Sequence, residues 1–97
     1  MKVIINNKLK LQHMADPGHG WTPVGYGDLM SLGIECNISS YSYITRDGCV
    51  VYLEEDCDVG VYIEALKKVY PGLEIQWDES YHDDDRIRGL PCYRVLN

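Results

Sequence analysis

The stretch from Tyr41 to Tyr70 narrows the possible folds more than any other part of the chain. Two runs rich in β-branched and aromatic residues, Tyr41-Ser42-Tyr43-Ile44-Thr45-Arg46 and Cys49-Val50-Val51-Tyr52-Leu53-Glu54, flank Asp47-Gly48. Asp-Gly between alternating runs is a strong hairpin signal, because a two-residue type I′ turn needs left-handed backbone at both central positions. The reading is a two-residue hairpin with Arg46 opposite Cys49, Ile44 opposite Val51 and Ser42 opposite Leu53 on one face. Thr45 with Val50, Tyr43 with Tyr52 and Tyr41 with Glu54 occupy the other face. One face is mostly aliphatic and the other tyrosine-rich.

An acidic step, Glu54, Glu55, Asp56 and Asp58, leads into a segment where Val59, Tyr62, Ile63, Leu66, Val69 and Tyr70 recur at helical spacing. The spacing predicts an amphipathic helix over residues 58–69, capped by Asp56 or Asp58 and lying on the aliphatic hairpin face. Lys67 and Lys68 suit its negative end, and Pro71-Gly72 stops it.

At 97 residues the chain suits one domain spanning 1–97. No apolar run reaches the roughly 20 residues of a membrane span, and the opening residues lack a signal-peptide pattern, so a cytoplasmic location is expected. Cys36, Cys49, Cys57 and Cys92 show no C-x-x-C spacing and read as reduced thiols. The net charge of −6 lies wholly after residue 50: residues 1–50 carry four basic and four acidic side chains, residues 51–97 five and eleven. That balance disfavours direct nucleic-acid binding and favours a basic protein surface as partner.

The rest of the chain is consistent with a small sheet. Lys2 to Ile5 reads as a short strand and Lys8 to Gln12, alternating lysine with leucine, as an exposed or edge strand, with Asn6-Asn7 between them, and Asp16-Pro17-Gly18 as a turn whose Gly takes the left-handed position. His19 to Val24 reads as an extended entry ended by Pro23. Leu29 to Leu32 reads as a short helix closed by Gly33. Leu73, Ile75 and Trp77 alternate inward along a strand, and Cys92 to Leu96 adds a last one. The fold expected is α+β: an antiparallel sheet of about four or five strands, one main helix across a face and one short helix.

His19-Gly20-Trp21, then Leu32-Gly33-Ile34 with Ile38-Ser39-Ser40-Tyr41-Ser42-Tyr43, then Val51-Tyr52-Leu53-Glu54-Glu55-Asp56-Cys57-Asp58 together resemble a group of small uncharacterised proteins of bacteriophages, plasmids and bacterial genomes. The resemblance spans residues 19 to about 66. It implies a phage or mobile-element setting and brings no catalytic residues.

Candidate binding residues fall into three sets. Glu54, Glu55, Asp56 and Asp58 read first as helix-entry caps and second as a cation site or a contact for a basic partner, the cation reading being the weaker because the spaced oxygen ligands and central glycine of a calcium loop are missing. Asp83, Asp84 and Asp85 beside His82 read first as a solvated loop and second as a hard-cation site or a mimic of nucleic-acid charge. Tyr41, Tyr43 and Tyr52 offer a contact platform, unless a second layer containing Trp21 covers them. His13, His19 and His82 share no metal-ligand spacing and no nucleophile motif is visible, so neither a metal nor a cofactor is expected. The function expected is a small acidic accessory protein, non-catalytic, that binds and modulates a host protein. A nucleotide or small-ligand module stacking on Trp21 and the tyrosines is the alternative, and a structural or homodimerising protein the third.

Overall fold

The computed structural model describes residues 3–82 and 86–96. In chain order it has β1 (Ile4–Ile5), β2 (Lys8–Ala15), β3 (Gly20–Gly25), α1 (Tyr26–Leu32), a 3-10 turn (Glu35–Asn37), β4 (Tyr43–Ile44), β5 (Val50–Glu54), α2 (Val59–Val69) and β6 (Glu74–Tyr81). The architecture is α+β, with six strands in one sheet among the described residues.

β2 is the hub. Its start pairs with β1 through Asn6-Asn7, both left-handed (φ 54° and 59°), the two-residue turn of type I′. Its end pairs with β3 (Met14 with Trp21, Ala15 with Gly20), and its whole length pairs with β6. β3 continues to β5 and β5 to β4, all antiparallel. The β2/β6 ladder is parallel, which departs from a purely antiparallel sheet. The reason is directional. β5 runs parallel to β2 because two antiparallel steps separate them, and α2 is the crossover that returns the chain, so β6 leaves in that same direction.

The hairpin register is as expected, with Tyr43 opposite Tyr52 and Ile44 opposite Val51. The turn is not type I′. Gly48 is left-handed (φ 77°) but Asp47 is not, and the Gly48 amide donates to the Thr45 carbonyl across a four-residue turn. Asp47 accepts from the Thr45 hydroxyl and the Cys49 amide, which hold its carboxyl below the usual range and make the ordinary turn the better one.

The aliphatic hairpin face is the floor of the core. Ile44, Val51 and Leu53 meet Val59, Tyr62 and Leu66 of α2, together with Leu9, Leu11 and Val24 from the neighbouring strands. Val69, on the same helical repeat, is 58% exposed because the last turn runs past the floor. Leu73 is buried, but Trp77 is 44% exposed, since β6 is an edge strand and no helix covers its far half. α1 ends as expected in a left-handed Gly33, with the Ile34 amide donating to Leu29 and the Gly33 amide to Met30.

Two expectations about strands change. Pro23 does not end its strand: it sits in β3 opposite Tyr52, beyond the two residues that pair with β2, so on that edge its missing N–H breaks no ladder bond among the described residues. The tail forms a single bridge, Tyr43 with Cys92, instead of a strand. It is nonetheless well anchored, because the Tyr93 amide donates to Ser42, the Ile44 amide to Pro91, and the Tyr93 hydroxyl to the Glu35 carbonyl. Burial pushes the Tyr93 phenol up to about 12.

Candidate functional site

The site is assembled where the turn before β3 meets the turn after β5. Asp16 closes the first: its amide donates to the His19 carbonyl (2.8 Å), and its carboxylate accepts from the Gly18 and His19 amides (2.9 Å each). Gly18 is not left-handed, so this turn depends on the Asp16 side chain more than on glycine. His19 is thereby fixed at the head of β3. Gly20 follows because a Cβ there would lie 2.3 Å from the His13 ring.

The β3/β5 ladder places Trp21 opposite Glu54. Glu54 is 5% exposed, and its Oε2 accepts from the amides of Asp56 (2.9 Å) and Cys57 (2.8 Å). Its Oε1 faces His19 Nδ1 at 3.5 Å. Glu54 thus closes the turn that leads into α2, and it does not serve the first-turn amides that Asp56 or Asp58 was expected to cap.

Asp58 makes no side-chain cap. Its own backbone is already helical (φ −117°, ψ −27°), whereas a capping side chain needs an extended one. At 2% exposure it accepts instead from the Ser39 amide (3.0 Å), the Ser39 hydroxyl (2.7 Å) and the Ser42 hydroxyl. These bonds tie α2 to the chain before β4 and leave Asp58 unable to meet a partner.

Trp21 is 2% exposed, packed by Tyr43 (ring centroids 6.1 Å apart) and His19 (5.9 Å), with the Arg88 guanidinium 5.1 Å from its ring centre. Arg88 reaches there through two bonds to Asp16, Nε to Oδ2 at 2.8 Å and Nη2 to Oδ1 at 3.1 Å. The guanidinium holds the Asp16 carboxyl well below the usual carboxylate range, against the opposing effect of burial. Tyr41 stands exposed and Tyr43 half-buried.

These parts enclose an open cleft of about 320 Å³, walled by the rings of Trp21, Tyr41 and Tyr43, by Glu54, Asp56 and Cys57, and by His19 and Arg88. Within it, a ring nitrogen of His19 and one oxygen each of Glu54 and Asp56 lie within 4.8 Å of one another. The Cys57 thiol is pushed up by Glu54 beside it and then by burial, so it stays protonated near neutral pH.

Five residues expected from the sequence thus meet in one place: Trp21, Tyr41, Tyr43, Glu54 and Asp56. Tyr52 lies half-buried outside the cleft lining, and the Glu55 carboxylate turns to His13 Nε2 at 3.3 Å. Asp83, Asp84 and Asp85 lie outside the described residues. His19, Cys57 and Arg88 complete the cleft without having been expected there. His19 joins Glu54 only through the pairing of distant strands, and no local spacing marks Arg88. No family model, no curated relative and no solved structure matches the chain.

Proposed function

We propose that this chain is a non-catalytic binding protein whose cleft receives a cationic side chain from a basic protein partner. One observation carries the reading: the aromatic residues Tyr41 and Tyr43 and the carboxylates of Glu54 and Asp56 line one open cleft. Aromatic faces attract cations through their quadrupole, and adjacent carboxylates add charge-assisted hydrogen bonds. Tyr41, 70% exposed, supplies contact area at low entropic cost. The net charge of −6 favours encounter with a basic surface. The resemblance noted above supports a phage or mobile-element setting, with a host protein as the partner to be modulated. A nucleotide stacked on Trp21 is less well supported, because Tyr43, His19 and Arg88 already surround that ring.

The test is an NMR titration of isotope-labelled protein with short lysine- and arginine-rich peptides and with glutamate-rich controls. Shifts centred on Tyr41, Tyr43 and Asp56 are expected for the basic peptides only, weakening as salt rises. Tyr41→Ala should reduce the affinity about tenfold, as for an interface anchor. Equal shifts with both peptide classes, or none, would reject the reading.

A further inference from the structure

We infer that His19, Glu54 and Asp56 form a binding site for a divalent transition ion of the zinc class. The donor set is one imidazole nitrogen and two carboxylate oxygens, all within 4.8 Å of one another. Zinc bonds of about 2.0–2.2 Å to nitrogen and oxygen put tetrahedral neighbours roughly 3.4 Å apart. His19 Nδ1 and Glu54 Oε1 are 3.5 Å apart, the spacing of two ligands on one such ion. Asp56 is exposed, and one of its oxygens already lies within 4.8 Å of both.

An acidic patch alone would not carry this inference. The independent observation is Glu54 itself, a carboxylate 5% exposed in a position where an unpaired charge is costly. Its Oε2 is held by two backbone amides, whereas Oε1 faces His19 at ion-pair distance, and the Cys57 thiol hydrogen-bonds the same carboxylate. A buried oxygen held out toward an imidazole, and fixed from behind by amides, has the outer-shell support that metal-ligating carboxylates require. The histidine is fixed as well, since its amide donates to Asp16 and its ring packs on Trp21. Hard oxygen-only cations are disfavoured by the imidazole, and soft ones by the absence of a thiolate from the set.

Three protein ligands leave a fourth position open to the cleft for water or an incoming donor. Zinc and a partner's cationic side chain would draw on the same two carboxylates and exclude each other. Zinc binding is measured with no partner present, so this inference and the binding reading fail independently.

The experiment is calorimetric titration of the purified, metal-stripped chain with zinc sulfate at neutral pH, and optical titration with cobalt(II). One equivalent should bind, with the visible d–d bands of four-coordinate cobalt and without the near-ultraviolet charge-transfer band of a thiolate ligand. His19→Ala and Asp56→Asn, both at exposed positions, should each weaken binding at least tenfold while circular dichroism stays unchanged. Cys57→Ser is the control for the nearby thiol and should bind as the parent does. Failure to bind, binding indifferent to His19→Ala and Asp56→Asn, or binding lost only in Cys57→Ser would each overturn the assignment.

Discussion

Gly48 answers to two constraints at once: its φ of 77° is left-handed, and a Cβ there would stand 2.8 Å from a Leu96 methyl. Gly48→Val is expected to cost about 1–3 kcal/mol, read as a lower urea midpoint with an unchanged slope. Leu66 is fully buried, so Leu66→Ala should cost about 2–5 kcal/mol in the same measurement. Asp16 gives a pH signature. Its folded pKa is depressed, chiefly by Arg88, so its contribution is complete above the unfolded value near 4 and is lost as pH falls through the folded one. The melting temperature of the parent should therefore exceed that of Asp16→Asn at neutral pH by a margin constant down to about pH 4 and shrinking below it. Leu66 and Gly48 were legible because a helical repeat and a turn each demand one residue type. Asp58 was not, because its partners Ser39 and Ser42 lie on another segment, and nothing local distinguishes a capping acid from one tied to distant hydroxyls.

Among elements, the hairpin shows what alternation can and cannot fix. The faces followed from the register, which burial of Ile44, Val51 and Leu53 enforces, since a one-residue slip would expose all three. The turn type did not follow, because the Asp47 side chain bonds Thr45 and Cys49 and favours the four-residue form. Alternation also misplaced Trp77, since an edge strand beyond its helix has no inside. On the tyrosine face Tyr41 is exposed while Tyr43 and Tyr52 are half-buried, and Tyr43 is bridged to Cys92 of the tail, which the sequence did not foreshadow. Arg88 lies over Trp21, whereas Trp77 is exposed, which separates the two tryptophans optically. In a Trp77→Phe background the remaining emission should resist acrylamide, and adding Arg88→Ala should raise the quenching constant severalfold. Easy quenching before that second change would mean that the tail does not cover Trp21 in solution.

For the whole molecule, the strands were mostly visible as alternating runs, but their order was not. Pattern says which residues face inward; it does not say that α2 carries the chain over β3 and β2 to the far edge. The candidate cleft shares that limit, since it exists only because β3 and β5 are neighbours. The longest ladder of the sheet has a further consequence, for how the chain comes to be folded. Each of its eight rungs, from Lys8 with Glu74 to Ala15 with Tyr81, joins residues 66 positions apart. Contacts so remote close late, because the loop entropy must be lost before any rung forms. Refolding should be single-exponential and take about milliseconds or longer, as in stopped-flow fluorescence, with microsecond recovery arguing against a late ladder. On the ribosome, one edge of β2 stays bare until the last quarter of the chain has emerged, a window in which that strand is open to pairing with another copy.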